Sequence, residues 1–146
     1  MLTAMQFVAT LCGALFAGAA VYITLAEHPA RMTFDTKVAA AVWAQSYKRA
    51  AAMQATLAIL SCLTGIAAAW LGGGFIWLVA ALVIGSVVPF TLIVVKPTND
   101  AIFAPDRDLA SAATRGLLEK WGRLHAVRSG LSLLATLLYL ELLMKR

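Results

Sequence analysis

The chain has 146 residues, of which 62% are hydrophobic and 13% charged, and its formal net charge at pH 7 is +5. Soluble globular domains are only about 45–50% apolar, so this composition excludes an ordinary water-soluble domain. The basic residues lie in short segments that also contain acidic residues, and no DNA- or RNA-binding pattern is present. The composition therefore predicts an integral membrane protein with no nucleic-acid partner.

Four apolar segments each reach the length of about 20 residues that a membrane-spanning helix needs. They predict an all-α fold, an integral membrane four-helix bundle that forms a single transmembrane domain over residues 1–146. The predicted helices cover residues 3–27, 36–71, 75–96 and 108–144, each bound being approximate. Two long, partly helical connections follow the first and third helices, whereas a run of three glycines makes the short turn between the second and third.

Small and polar side chains recur at steps of three and four along the first three predicted helices, so they share one face of each helix. Such residues let membrane helices approach closely and form hydrogen bonds with one another. These faces are therefore predicted to point into the bundle. They comprise Gln6, Thr10, Gly13, Ala17, Ala20, Thr24 and His28 in the first helix, Tyr47, Ala51, Gln54, Ala58, Ser61, Gly65 and Ala68 in the second, and Gly85, Pro89, Leu92, Lys96 and Asn99 in the third.

Three prolines and two capping positions set the expected helix boundaries. Pro29 and Pro97 are predicted to end helices just after His28 and Lys96, because the residue before a proline avoids helical geometry. Pro89 is predicted to kink the third helix and to free a carbonyl near Gly85. Asp35 or Thr36 is expected to cap the second helix, and Asp106 or Asp108 the fourth.

The distribution of basic residues predicts an orientation in the membrane. Most lysines and arginines lie in or beside the two long connections. The opposite side of the predicted bundle, with both termini and the glycine turn, carries only Lys145 and Arg146. The positive-inside rule then places both connections in the cytoplasm and both termini outside. A bacterial inner membrane is the expected location.

Ionisable and hydrogen-bonding side chains collect at the four helix ends on the side of these connections. Charge at membrane depth is costly, so such a cluster indicates a functional site. On the fourth helix the spacing of four and three residues places Trp121, His125 and Arg128 on one face. The predicted site comprises Glu27, His28, Tyr47, Gln54, Lys96, Asn99, Trp121, His125 and Arg128.

These residue types are suited to proton abstraction with stabilisation of an anion. His125, or His28 assisted by Glu27, is the candidate base. Lys96, Arg128 and Asn99 are candidate donors to a developing oxyanion. A purely structural interpretation competes with this one, since tryptophans populate membrane interfaces and arginines extend toward them.

A metal site is the chemical alternative. Two histidines with Glu27 or Asp100 would provide three ligands, the number that a catalytic zinc site uses. No recognised metal-binding spacing such as His-Glu-x-x-His is present. No residue is therefore assigned as a metal ligand and no cofactor is expected, although a metal or haem stays open.

Three stretches carry a resemblance to a known family. They are Glu-His-Pro-Ala-Arg at 27–31, Pro-Phe-Thr-Leu-Ile-Val-Val-Lys-Pro-Thr-Asn-Asp at 89–100, and Leu-Glu-Lys-Trp-Gly-Arg-Leu-His-Ala-Val-Arg-Ser at 118–129. The chain resembles the anthrone oxygenase-like family of small four-helix membrane proteins, which is also described as a domain of unknown function. The resemblance covers essentially the whole chain.

The resemblance implies a cofactor-independent oxygenase that converts an anthrone to an anthraquinone with molecular oxygen. Asn99, Trp121, His125 and Arg128 match the family's motif positions, whereas Lys96 and His28 match less closely. On this hypothesis a histidine deprotonates the substrate, Asn99 with Lys96 or Arg128 holds the oxyanion, and Trp121 stacks on the ring. Tyr47 and Gln54 complete the substrate-binding set.

The implied partners are an apolar aromatic substrate similar to an anthrone or phenol, O2 and membrane lipid, with homo-oligomer formation left open. One alternative is a non-enzymatic membrane module that binds a lipid, a quinone or a partner subunit. A second is a metal-dependent membrane oxidoreductase. An enzyme requires an enclosed pocket lined by the polar cluster, whereas a helper protein would open the cluster toward a partner's surface.

Overall fold

A computed structural model describes residues 1–145, and all of their regular secondary structure is helical. The helices are α1 (Leu2–Arg31), α2 (Thr36–Gly73), α3 (Phe75–Ile102) and α4 (Ala112–Met144), and each is long and apolar enough to cross a membrane. Each helix packs against the next, and α4 also packs against α1. The predicted all-α, four-helix membrane fold is confirmed.

The prolines near the ends of α1 and α3 do not end these helices, so that prediction was wrong. The helices continue to Arg31 and Ile102, and each proline follows a wider, π-helical turn, at Ile23–Glu27 in α1 and Thr91–Val95 in α3. A wider turn accommodates the missing N–H and the bulk of the proline ring, so the chain stays helical.

The α-helical pattern of α3 changes three residues before Pro89. The α-helical pattern of α3 is interrupted at Ser86, between the segments Phe75–Gly85 and Val87–Phe90. The Ser86 hydroxyl donates to the carbonyl of Val83 at 2.7 Å. Beyond this interruption α3 packs less closely against α2, which leaves space between them.

The predicted capping residue of α2 is confirmed, whereas the one predicted for α4 was wrong. Asp35 caps α2, since its side chain accepts from the Val38 N–H at 3.0 Å. Ser111, rather than Asp106 or Asp108, caps α4 by accepting from the Thr114 N–H at 3.2 Å. The carbonyl of Asp108 binds the Ser111 and Thr114 hydroxyls, so the chain turns once more before α4 begins.

The interior faces of α1 and α2 follow the predicted stripes, whereas that of α3 does not. Gln6, Thr10 and Ala20 are buried in α1, and Gln54, Ser61 and Gly65 in α2. In α3 the interior is formed largely by Trp77, Ala80, Ala81, Ile84, Val87, Val95, Thr98, Asn99 and Ile102. Of the predicted α3 stripe, Asn99 is buried and Gly85 is partly buried, whereas Pro89, Leu92 and Lys96 are exposed.

The buried apolar side chains form two clusters along the bundle axis. One surrounds Phe16, Trp77 and Tyr139, toward the glycine turn, and its Trp77 and Tyr139 rings stack at 5.1 Å. The other surrounds Trp43, Leu118 and Trp121, toward the two connections. The polar residues described below lie at and between these clusters.

Candidate functional site

The structure brings most of the predicted site residues together inside the bundle. His28, Gln54, Asn99, Trp121, His125 and Arg128 are buried, and Tyr47 is partly buried beside them. They come from all four helices.

His125 is held by a chain of hydroxyl groups that links α4 to α1. Its Nδ1 lies 3.1 Å from Thr24 Oγ1, which lies 2.7 Å from Ser129 Oγ. Ser129 Oγ in turn lies 2.9 Å from the carbonyl oxygen of Ala20. Thr24 and His125 are 101 positions apart in the chain.

The chain of hydroxyls assigns the tautomer of His125. A backbone carbonyl only accepts and a hydroxyl has one hydrogen, so Ser129 donates to Ala20 and Thr24 donates to Ser129. Thr24 must then accept from an N–H at Nδ1 of His125. This arrangement leaves Nε2 as the unprotonated nitrogen of an imidazole that borders the small cavity described below.

Arg128 is a buried cation whose contacts are not with a carboxylate. Its Nη2 donates to Gln54 Oε1 at 2.9 Å, and its Cζ lies 5.6 Å from the centre of the Phe16 ring. The side chain is only 6% exposed. Within the described part of the chain no ion pair includes it. A buried charge in this state favours an anionic ligand, because desolvation of the guanidinium is otherwise poorly compensated.

Tyr47 and Asn99 close the space between α2 and α3 on the side of the connections. Asn99 Nδ2 donates to the Tyr47 hydroxyl at 2.9 Å, and the Tyr47 ring stacks on Trp43 at 5.0 Å. The Oδ1 of Asn99 is buried without a partner. The phenol of Tyr47 is thereby fixed at the wall of the cavities described below.

Trp121 lies at the centre of an aromatic and cationic group. Its ring stacks on His125 at 4.8 Å and lies 5.2 Å from the ring of His28. The guanidinium of Arg31 lies 5.8 Å from the centre of the indole. Trp121 therefore packs directly against His125, the candidate base, and its other neighbours here are His28 and Arg31.

Two predicted site residues point elsewhere. Lys96 is exposed and pairs with Asp100 at 2.6 Å, so it does not join the cluster. Glu27 pairs with Arg31, four residues later, whereas Nδ1 of His28 has no partner. Glu27 therefore does not orient His28 as predicted, because the stronger charge-assisted bond to the guanidinium takes its carboxylate.

Two adjoining cavities border this cluster. The larger, of about 100 Å³, has mostly apolar walls from all four helices, including Phe16, Ala55, Ala58 and Val88. The smaller, of about 10 Å³, is bordered by Arg31, Ser46, Trp121 and His125, among others. The residues Tyr47, Ala51, Gln54 and Arg128 line both.

An apolar groove adjoins the larger cavity on the outer side of the bundle. It has a volume of about 290 Å³, lies between α2 and α3, and shares Ala58 and Val88 with the larger cavity. Its other walls include Cys62, Gly85 and Pro89. The groove beside Pro89 is thus separated from the polar cluster only by the larger cavity.

The predicted metal alternative finds no ligand cluster in the residues that the structure describes. No three His, Cys, Asp or Glu side chains lie close enough to hold one ion. Asp100 is bound to Lys96 and Glu27 to Arg31.

Sequence reasoning assigned no role to Arg31, Phe16 or Ser129. Arg31 stands in the Glu-His-Pro-Ala-Arg stretch, and its position four residues after Glu27 signals the ion pair. Ser129 follows His125 by four residues, which places a hydroxyl beside the imidazole. Phe16 carried no signal, since its role depends on α1 packing against α4.

Comparison with known proteins identifies relatives of the chain. The model of the family "Anthrone oxygenase" matches residues 43–138. The chain is 31% identical to anthrone oxygenase tpcL of Aspergillus fumigatus over 152 aligned positions, covering 96% of this chain and 93% of the relative. It is 41% identical to anthrone oxygenase ptaC of Pestalotiopsis fici over 64 positions, covering 38% of this chain and 45% of that protein. No solved structure matches.

Proposed function

Because the chain belongs to the anthrone oxygenase family, we propose that it is a membrane-embedded oxygenase that acts on an apolar aromatic substrate with an acidic C–H or O–H group. An anthrone is the substrate that the names of both relatives suggest. Both relatives are fungal, so they give no support to the expected bacterial location.

One observation carries this proposal. A neutral imidazole with an unprotonated Nε2 and a guanidinium without a carboxylate partner lie three positions apart on α4. The guanidinium lines the larger cavity with mostly apolar walls, and both groups line the adjoining small cavity. The imidazole can accept a proton, and the guanidinium can stabilise the oxyanion that forms when the substrate loses it. Enclosure of both groups favours an enzyme over a helper protein that presents the cluster to a partner.

The reaction proceeds in balanced steps. Nε2 of His125 takes a proton from the CH2 group of the anthrone, and the negative charge moves to the carbonyl oxygen, which Arg128 and Gln54 or Tyr47 hold. The anion gives one electron to O2, and the resulting radical and superoxide combine to form a C–O bond. Protonated His125 returns its proton to the peroxide. Loss of water, formed from the second hydrogen of that carbon and the terminal OH, leaves the quinone carbonyl.

The apolar groove supports a route for the substrate from the bilayer. A fused aromatic ring system partitions into hydrocarbon, and the groove between α2 and α3 adjoins, through Ala58 and Val88, the larger cavity that Arg128 lines. Binding pockets for small molecules are about 300–1,000 Å³. The larger cavity of about 100 Å³ and the groove of about 290 Å³ together lie near the lower end of that range. On this proposal the Trp121 ring packs against His125 and holds the imidazole in place, and it does not stack on the substrate.

The direct test is oxygen consumption by the purified protein in detergent with anthrone as the substrate. We expect one O2 consumed for each anthraquinone formed, and a loss of about 10²–10⁴-fold in kcat for His125→Gln. His28→Gln, which changes the other imidazole, should keep most of the activity. Wild-type turnover by a folded His125→Gln variant would refute the assignment of the base.

The same preparation tests the absence of a cofactor. We propose that no metal, haem or flavin takes part, since the substrate anion reduces O2 directly. Metal content and visible absorbance of active protein are the measurements. A stoichiometric metal or a bound chromophore would replace this mechanism with cofactor chemistry.

We also propose that both connections lie in the cytoplasm and both termini outside, following the basic residues around the connections. A single cysteine introduced at Lys37 or at Lys145, in a chain without Cys12 and Cys62, would be labelled from opposite sides by an impermeant reagent. Labelling of both positions from the same side would overturn the topology.

A further inference from the structure

The small cavity between α1, α2 and α4 differs from the larger one in its chemistry. Its lining includes residues with a buried N–H group that has no hydrogen-bond partner. These groups are Nε and Nη1 of Arg31, Nε2 of Gln54, Nε1 of Trp121 and Nε of Arg128. The parent side chains are all at least nine-tenths buried.

The charge around this cavity is also unbalanced. Two guanidinium groups border it, whereas the carboxylate of Glu27, which pairs with Arg31, does not line the cavity. Unpaired buried donors and an uncompensated cation both cost folding free energy. A small anion bound between the donors and the guanidinium groups would offset both of these costs.

The volume of about 10 Å³ limits the occupant to roughly the size of one water molecule. An aromatic ring does not fit, whereas a diatomic molecule needs only a small displacement of the walls. The cavity shares Gln54 and Arg128 with the larger one, so an occupant would lie beside a substrate bound there.

We propose that the small cavity bordered by Arg31, Trp121, His125 and Arg128 is the dioxygen site, where O2 is held beside the aromatic substrate and stabilised as superoxide once reduced. This inference rests on the proposed oxygenase function and deepens it. Neutral O2 enters through the apolar bundle, and the unpaired donors become satisfied only after one electron has been transferred from the substrate anion. The protonated Nε2 of His125 then lies beside the peroxide that it protonates.

Two indoles provide a matched test. Trp121→Phe keeps an aromatic ring against His125 but removes the unpaired indole N–H of a residue that lines the small cavity. Trp43→Phe removes another buried, unpaired indole N–H, from a residue that contacts Trp121 at 5.8 Å but does not line either cavity. Steady-state rates are measured with O2 varied at saturating anthrone, and with anthrone varied at constant O2.

We expect Trp121→Phe to lower kcat/KM for O2 by about 10- to 100-fold, the effect of one hydrogen bond to a charged group, with KM for anthrone nearly unchanged. Trp43→Phe should match the wild type in both series. Equal kcat/KM for O2 in Trp121→Phe and the wild type would overturn the dioxygen site while leaving the oxygenase function intact.

A second measurement does not depend on turnover. Chloride, as a small anion, should raise the thermal unfolding midpoint of the wild type relative to sulfate at equal ionic strength, and should inhibit competitively against O2. The stabilisation should be smaller in Trp121→Phe and unchanged in Trp43→Phe. If chloride has no effect, the cavity does not bind anions and the inference fails. If anthrone is not oxidised at all, the proposed function fails, and the chloride result still decides whether the cavity is an anion site.

Discussion

Thr24 Oγ1 on α1 lies 3.1 Å from Nδ1 of His125 on α4, and this contact determines which nitrogen of the imidazole can act as a base. The hydrogen of Thr24 is used by Ser129, so Thr24 acts as an acceptor toward His125. A neighbouring hydroxyl thus does what a carboxylate does in many catalytic sites. No second charge has to be buried in the membrane.

Replacement of Thr24 tests this positioning role. We expect Thr24→Val to lower kcat by roughly 10- to 100-fold, the range seen when a partner that orients a functional histidine is removed. KM for the aromatic substrate should change little, because Thr24 does not line either cavity. Thr24→Ser retains the hydroxyl and should recover most of kcat. A Thr24→Val variant with wild-type kcat would show that His125 needs no acceptor at Nδ1.

The sequence predicted the parts of the site that depend on spacing within one helix. Trp121, His125 and Arg128 share a face of α4 because steps of four and three return to the same side of an α-helix. The partners of those residues depend on how helices pack, and spacing carries no such information. The pairing of His125 with Thr24, and the preference of Glu27 for Arg31 over His28, follow only from the packed bundle.

For α3, residue type did not predict which face of the helix is buried. Its interior is lined by Ile84, Val87 and Val95, which resemble lipid-facing residues in composition. The predicted stripe through Pro89 and Lys96 lies one residue out of phase, and one residue turns the face by about 100°. Lys96 was therefore placed in the site although its side chain points outward.

Replacement of Arg128 should separate function from stability. Arg128→Met is expected to lower kcat by about 10²–10³-fold, as for loss of an oxyanion donor. Its effect on the free energy of unfolding should be small, because loss of the bond to Gln54 is offset by removal of a buried charge. Thermal unfolding and turnover are measured on the same samples. Arg123→Met, at an exposed position of α4, is the control and should keep its activity. Full activity of Arg128→Met would remove the guanidinium from the mechanism.

His28 is expected to be a packing residue rather than the base. A Cβ added at Gly122 would lie 2.5 Å from Nε2 of His28, whose ring is confined by Trp121 at 5.2 Å. We therefore expect Gly122→Ala to reduce the free energy of unfolding by about 1–3 kcal/mol through overpacking. Adding His28→Ala to Gly122→Ala should recover part of that loss.

The same pair of variants tests catalysis by His28. The double variant should retain turnover at temperatures where it is folded, because His125 keeps its Thr24 contact. If the folded double variant were completely inactive, His28 would have a catalytic role.

The two cavities should respond independently to substitution, and Ala55 offers the sharpest test. Ala55 and Ala52, three positions earlier on α2, are both exposed, but Ala55 lines the larger cavity and Ala52 lines neither cavity. Ala55→Leu adds three carbon atoms to the space where the aromatic ring is proposed to bind. An overpacking cost of about 1–3 kcal/mol against the ligand corresponds to a decrease of roughly 5- to 150-fold in kcat/KM for anthrone. Ala52→Leu should behave as the wild type.

Oxygen kinetics complete this comparison. Because Ala55 does not border the small cavity, kcat/KM for O2 at saturating anthrone should stay near the wild-type value in Ala55→Leu. Trp121→Phe should show the reverse pattern, with O2 affected and anthrone spared. If Ala55→Leu impaired both substrates equally, the aromatic and O2 would share one binding space, and the division of labour between the cavities would have to be abandoned.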